Sequence, residues 1–404
     1  MRPAASQGMT PQERVYAAVS GATPDRVPFA PKIWIDLAAS LLGEDMLEVI
    51  GDPRRALEIT ARAAVELGLD GTRIFQLPPR RLERDARGQA VELDSGGRVL
   101  GRVDEAGGFA THLDDPRSVD PGDPFFSAWP WFRFSQEAFV RNYDDIAALA
   151  VPDASFWQSS GFRDITLAAM REYGDRTALF GDLGSATVSF CIALRGMERT
   201  LYDFIDEPAL VHALMDKGAA IAIAKARFLL GLGLRVLRLN DSAGTMTLIS
   251  PALWREFVFP RFRDVASAVK SIDPGARVYC HICGDLRPIA KDLVEAGIDC
   301  IAPLDPLGNS TPGALRRLVG PRQALMGGID TMSFLRSSAA EIALEARTCI
   351  LEGGALGAFV LGSGCALPRG SKRENIEAAR DVALSTSYSK AGLVFAETPP
   401  KETP

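Results

Sequence analysis

The chain lacks the features that would send it to a membrane, a nucleic acid or an oxidising compartment. No stretch approaches the ~18 uninterrupted apolar residues of a membrane helix. Residues 1–8, Met-Arg-Pro-Ala-Ala-Ser-Gln-Gly, have no apolar segment of the secretory kind. Lysine and arginine (45) are outnumbered by aspartate and glutamate (51), giving a formal net charge of −6, so the basic patches that nucleic acid or anionic lipid require are not favoured. Six cysteines spread over 404 residues make no compact disulfide framework and suit a reducing compartment, so a cytoplasmic location is expected. No Gly-x-Gly-x-x-Gly follows the first strand, which argues against a dinucleotide fold. What remains is an ordinary globular composition, 47% apolar and 24% charged, with material for a large core.

The stretch with the most chemistry in it is Ala276-Arg-Val-Tyr-Cys-His-Ile-Cys-Gly-Asp285. It reads as a buried strand, in which side chains two apart share a face. His281 and Cys283 therefore converge, while Cys280 and Ile282 point to the other side. Zinc accepts imidazole nitrogen and thiolate sulfur together, and a catalytic site keeps three protein ligands and an open position. The third donor is expected at Cys365, flanked by glycine in Gly362-Ser-Gly-Cys365 at the end of the apolar run 358–361. Cys191, Cys280, Cys300 and Cys349 sit in apolar runs and read as packed, inert thiols. Of the remaining histidines, His112 falls in a hairpin region and His212 early in a helix, and neither has a partner in sequence.

Along the chain, Thr10-Pro-Gln-Glu13 reads as a capping box opening a helix that stops at Gly21. Helical patterns follow at about 35–50 and 53–68, and later at about 161–174, 208–230, 251–270 and 371–387. Apolar runs recur at 27–33, 71–77, 177–182, 236–241, 277–282, 300–305, 324–329 and 358–363. Eight near-continuous apolar strands alternating with helices predict a (β/α)8 TIM barrel in the α/β class, with an N-terminal helical extension. Short alternating pieces from Glu83 to Leu113, with glycine-rich turns, predict a β-hairpin insertion, and the aromatic segment 125–157 reads equally as a lid or as core. The expected organisation is one barrel domain over 1–390 with an insertion at about 80–157, and a flexible tail over 391–404. Active sites of such barrels lie at the C-terminal strand ends, and Asp182, Asn240, Asp241, His281, Cys283, Asp305, Asp330 and Cys365 all fall there.

At these residues the sequence resembles the uroporphyrinogen decarboxylase superfamily, and within it the zinc-dependent methylcobalamin:coenzyme M methyltransferase branch. The opening 10–28, Leu194-Arg-Gly-Met197, Tyr202-Asp-Phe-Ile-Asp-Glu-Pro208 and Asn240-Asp-Ser-Ala-Gly244 look like the superfamily. His281-Ile-Cys283 and Gly364-Cys365 are similar to the zinc signature of the methyltransferase branch. The decarboxylases' Arg-Gln-Ala-Gly-Arg segment after the first strand is replaced here by Pro31-Lys-Ile-Trp-Ile-Asp36. Cobalamin-independent methionine synthase is similar in placing an acidic residue after its His-x-Cys. By that likeness Asp305 is a displaceable fourth ligand, although Leu304-Asp-Pro-Leu-Gly308 is also a turn signal.

The resemblance implies a zinc-containing, corrinoid-dependent methyltransferase in which zinc activates a thiol that takes a methyl group from methylcobalamin. Asp182, Asn240 and Asp241 are the candidate catalytic residues, with Asn240 and Asp241 orienting the substrate or capping the following loop. Because no Asp-x-His-x-x-Gly motif occurs, the corrinoid is expected on a separate protein docking at the barrel mouth. The reverse direction, demethylation of a small methylated compound onto cob(I)alamin, needs the same parts. The rivals are a metal-free decarboxylase, using Asp182 or Asp241 as proton carrier and Arg73 or Arg369 as carboxylate clamps, and a non-catalytic zinc protein.

Overall fold

The structure, a computed structural model, describes residues 8–106, 108–390 and 392–396. Seven parallel strands form one curled sheet in chain order: β1 (Gly71–Arg73), β2 (Ala178–Ser185), β3 (Val236–Asn240), β4 (Arg277–His281), β5 (Cys300–Leu304), β6 (Ala324–Ile329) and β7 (Phe359–Ser363). The eighth position is filled by residues 27–32, which make only two isolated parallel bridges, Phe29 with Leu361 and Lys32 with Ala366. Proline explains the reduced ladder, since Pro28 and Pro31 have no N–H to donate. The segment still closes the barrel on both sides. Ala30 N donates to Leu361 O and Leu361 N to Pro28 O, each at 2.9 Å, while Asp70 N donates to Phe29 O at 2.9 Å. With the helices outside, this is the expected α/β barrel, and no helix among the described residues is long and apolar enough to cross a membrane.

Burial divides the interior into two layers. One lies between barrel and helices and includes Cys280 and Ile282. The other fills the barrel with Ala30, Phe180, Val236, Tyr279, Cys300, Met326 and Val360, and is plugged from below by Val15, Ala18 and Val19. Those three come from the N-terminal helix Pro11–Val19, whose Thr10–Glu13 capping box forms as the sequence indicates.

Three expectations are corrected in detail. The run 71–77 is a strand only over Gly71–Arg73. The helix at 251–270 is broken into Pro251–Leu253, a wide π turn at Trp254–Val258 and Phe259–Ile272, because Pro260 cannot donate to the preceding turn. The insertion is more than a hairpin. Arg81–Arg84, Ala90–Leu93, Val99–Val103 and Thr111–Leu113 form an antiparallel meander that Arg133–Phe134 extends in parallel. Its buried Glu92 accepts from Arg80 and from Arg133 Nη2, at 3.3 and 2.7 Å. Of the aromatic segment, Phe126, Trp129, Phe132 and Trp157 are core, and Trp131 faces a cavity at the barrel mouth. Within the expected tail 391–404, Gly392–Phe395 instead pairs with Thr386–Ser389 in a hairpin, while residues 397–404, like residues 1–7, lie outside the described residues.

A buried carboxylate locks the closing segment at the bottom of the barrel. Asp70, 3% exposed, accepts from Arg14 Nη1 at 2.7 Å, from Arg26 Nη1 and Nη2 at 2.8 Å each, and from Phe29 N at 2.9 Å. Removing one member of such a group strands the others' charges. Asp70→Ala should therefore cost about 3–5 kcal/mol, seen as a lower urea midpoint. A loss below about 1 kcal/mol, the worth of an exposed pair, would mean that the barrel closes without this contact.

Candidate metal centre

His281 is the last residue of β4, and its neighbour on β3 is Asn240. Cys283 follows two residues later, where Gly284 adopts φ +81°, a conformation that favours glycine, and turns the chain away. Ser310 fixes that turn by accepting from Leu286 N at 2.7 Å and donating to Gly284 O at 2.8 Å. Cys365 follows β7. Ser363 Oγ donates to Cys365 O at 2.6 Å and accepts from Lys32 N at 3.0 Å, while Gly364 N donates to Ile329 O at 2.7 Å. A side chain on Gly364 would press on Asp305 and Pro306 at 3.0–3.2 Å, so glycine there lets the loops after β5 and β7 touch.

These supports bring three donors together. Cys283 Sγ lies 3.4 Å from Cys365 Sγ and 3.5 Å from His281 Nε2, and the three ligand atoms lie within 4.8 Å of one another. Tetrahedral zinc with its usual bond lengths separates such donors by about 3.6–3.8 Å, so the set fits one ion after small adjustments. No other group of three or more His, Cys, Asp or Glu among the described residues meets the same test. Burial, aided by Lys32, lowers the His281 pKa to about 4, so the imidazole is neutral near pH 7, the form that ligates. Donation from Cys283, together with Lys32 and His281, holds Cys365 well below the usual thiol range, while Cys365 and burial push Cys283 up. Elsewhere burial raises the thiols, Cys280 and Cys349 each to about 12 and Cys191 and Cys300 also upward, consistent with inert packing.

The other candidates have these places. Asp305 Oδ1 accepts from Leu307 N at 3.0 Å and caps the turn Pro306–Gly308. Burial first and the charge of Cys365 next raise its pKa, so it is close to the cysteines while outside the three-donor group. Asp182 Oδ1 accepts from Gly184 N at 3.1 Å and lies 3.7 Å from Arg238 Nε, while its Oδ2 lies 3.5 Å from Arg73 Nη1. Asn240 Nδ2 donates to Ser185 Oγ at 2.7 Å and its Oδ1 accepts from Ser242 at 3.0 Å. Both residues line a cavity of about 210 Å3 with Lys32, Trp34, Arg73, Trp131 and Arg238. Asp241 is fully buried, accepts from Thr187 Oγ1 at 2.6 Å and Ser189 N at 2.7 Å, and braces the loop after β2. Asp330 caps its own turn through Met332 N at 2.8 Å. Arg369 is half exposed, 3.7 Å from Asp36 and bonded to Glu105 O at 3.3 Å. His112 and His212 lie away from the centre, against Phe134 and Phe257.

Lys32 was not anticipated in the site. Its Nζ lies 2.7 Å from His281 Nε2, and burial lowers its own pKa. The available signal was a lysine within the apolar run 27–33 at a strand end.

The fold and donor set define a parallel barrel with a Cys2His cluster at its C-terminal mouth. Residues 135–385 match the family described as uroporphyrinogen decarboxylase (URO-D), more than half of the chain, and the protein belongs to that family. It is 25% identical over 195 residues to a methylated-thiol–coenzyme M methyltransferase of Methanosarcina mazei, covering 48% of this chain and 50% of the relative. It is 28% identical over 175 residues to a methylcobamide:CoM methyltransferase of Methanosarcina barkeri, covering 43% and 48%. A uroporphyrinogen decarboxylase of Saccharopolyspora erythraea is 30% identical over 243 residues, covering 56% and 63%. The chain thus spans about half the length of the methyltransferases it matches. Among solved structures, a methyltransferase from Methanosarcina mazei superposes with a TM-score of 0.67 at 18% identity, covering 92% of this chain and 98% of that one, a likeness of fold.

Two outcomes test the centre. The purified protein should carry about one zinc per chain, lost in Cys283→Ser and in Cys365→Ser with the fold retained, while Cys191→Ala and Cys300→Ala keep it. Wild-type metal content in both serine variants would overturn the ligand assignment. Lys32→Met removes a competing donor and a positive charge, so apoprotein should bind zinc at least about tenfold more tightly in a chelator competition. Weaker binding would show that Lys32 supports the metal instead.

Proposed function

We propose that this protein is a zinc-dependent methyltransferase that moves a methyl group between a corrinoid and a small molecule, with a thiol as the acceptor. The observation that carries the reading is the convergence of His281, Cys283 and Cys365 at the mouth of the barrel. The family match supports it, as do the activities of the Methanosarcina relatives over the matched half. The three residues would hold the ion. When bound, zinc lowers the pKa of a thiol that joins it, making the sulfur a nucleophile near neutral pH.

The chain's own residues do the rest. His281 is neutral before any metal arrives, and Cys283 has one proton to release on binding. Asn240 and Ser185, hydrogen-bonded to each other, present polar groups to the substrate cavity. Trp34 and Trp131, edge to face with centroids 5.7 Å apart, wall it against water. Asp305 holds the loop after β5 against Gly364 and so keeps Cys365 in register. The corrinoid arrives on a separate protein. Of the decarboxylase alternative's parts, the basic segment after the first strand is absent and Arg369 faces Asp36 and Glu105, while Arg73 lines the cavity beside Asp182.

Loss of methylcobalamin, followed spectroscopically with coenzyme M or another thiol as acceptor, tests this. Turnover should require both zinc and thiol and fall at least about a hundredfold in Cys365→Ser, as for removal of an essential group. Thiol-independent turnover, or an undiminished rate in Cys365→Ser, would overturn the proposal.

A further inference from the structure

The long helix Pro208–Gly231 has more apolar surface than the barrel covers. Its buried residues include Ala222, Ala226 and Leu229. Ala220, Ile223, Ala224 and Phe228, spaced at i, i+3, i+4 and i+8, make a further apolar stripe. That stripe floors a groove of about 800 Å3, whose other side is the loop and short helix over 151–159. No strand residue lines the groove, and it shares no residue with the two cavities that Lys32, Arg73 and Arg238 line at the mouth. Trp157 forms part of it. The Trp157 ring lies on that of Phe228 with centroids 4.3 Å apart and planes only 7° from parallel, and Phe156 and Phe162 pack against it. Val151, 40% exposed, adds another apolar residue to the lining.

The charges of this groove are not balanced. Arg163 and Arg227 both line it, and among the described residues neither makes a hydrogen bond or an ion pair. Exposed arginines elsewhere in the chain do pair, as Arg255 does with Asp292 and Glu295 at 2.8 and 2.7 Å. The one carboxylate in the lining, Asp153, is committed to its own turn, where Oδ1 accepts from Phe156 N at 2.8 Å and from Ser155 Oγ at 2.7 Å. A chain of net charge −6 thus sets two unopposed guanidiniums beside an apolar stripe. A carboxylate or sulfonate matches the guanidinium fork. Size decides between a small molecule and a protein as the bearer of that group. A stable protein interface takes ~800 Å2 from each partner, and the exposed lining here is a small part of that. The volume, by contrast, lies within the ~300–1,000 Å3 of small-molecule pockets.

We infer that the groove between residues 151–163 and the helix Pro208–Gly231 is a binding site for an amphiphilic organic anion. The apolar body of the ligand lies along Ala220, Ala224 and Phe228, and its acidic group meets Arg163 and Arg227. This site is separate from the metal centre, and it stands whether or not that centre transfers methyl groups.

Two fluorescent probes with the same apolar body test it, 1-anilinonaphthalene-8-sulfonate and the neutral N-phenyl-1-naphthylamine, each titrated into the protein as purified at low salt. The sulfonate should bind one to one and at least about threefold more tightly than the amine, the worth of exposed ion pairs. That preference should shrink as salt screens the arginines. The double variant Arg163→Gln, Arg227→Gln should lose the preference and, because both side chains are exposed, keep the wild-type melting temperature. Ala224→Glu, which puts a carboxylate in the floor, should weaken the sulfonate at least about tenfold by like-charge repulsion. Arg73→Gln, at the mouth, should leave sulfonate binding unchanged. Equal binding of the two probes by the wild type, or a sulfonate preference that survives in the double variant, would overturn the inference. So would loss of the sulfonate in Arg73→Gln, which would put the anion at the mouth. A wild-type dimer in sedimentation that Ala224→Glu breaks would overturn it too, by making a second copy the occupant.

Discussion

The contact on which the rest depends is the seam where residues 27–32 enter between β7 and β1. Two prolines leave this segment short of donors, so the barrel cannot be closed by a regular ladder. A carboxylate substitutes. Asp70 gathers Arg14, Arg26 and Phe29 N at the bottom of the seam, and Ser363 joins its top, accepting from Lys32 N while donating to Cys365 O. The backbone of Lys32 is held again by Leu367 N, which donates to its carbonyl at 3.0 Å. The same few bonds therefore close the fold and set the positions of Lys32 and Cys365, two of the groups near His281.

With that seam in place, the interior grades from apolar to charged along the barrel axis. Ala30, Phe180, Val236 and Met326 fill the lower part, while Arg73, Asp182, Arg238, Lys32 and His281 occupy the upper part with cavities between them. Burial acts with opposite results on one residue type. Burial raises the thiols of Cys280 and Cys300, and on Cys300 it outweighs the opposing charge of Arg316. Cys365, with Cys283 and Lys32 beside it, is held well below the usual thiol range. Reactivity is thus confined to the mouth by neighbours, not by exposure alone.

The part of this arrangement that local periodicity encodes was legible in the sequence. The two-residue spacing of His281 and Cys283, the glycine-flanked Cys365 and the recurrence of apolar runs depend on strand geometry, and the structure brings those three side chains together. Lys32 could not be read that way, because it meets His281 across 249 positions of sequence. Arg238 left a trace, an arginine inside the buried run Val236–Asn240, where a charged residue is out of place unless it has work inside the barrel. Pro260 and the prolines at 28 and 31 were visible, but their effect on helix 251–270 and on the first strand appears only when the hydrogen bonds are traced. The five-stranded insertion was underread because Arg133–Phe134 joins a meander that ends twenty residues earlier.

The charges of the donor set and of the cationic floor constrain each other. Two cysteine thiolates cancel the formal charge of a divalent ion, and neutral His281 adds none, so a loaded centre would present no net charge to the cations beneath it. Lys32 is the group whose situation changes most. Its Nζ lies 2.7 Å from His281 Nε2. A metal held by His281 and Cys365 would occupy that neighbour, which would leave Asp182, Asn240 and Ser185 as acceptors within the cavity that Lys32 lines. Asp182 already faces two arginines at 3.5 and 3.7 Å. Lys32 would then draw on the same aspartate as the two arginines, so the donor set and the cations beneath it compete for a single carboxylate.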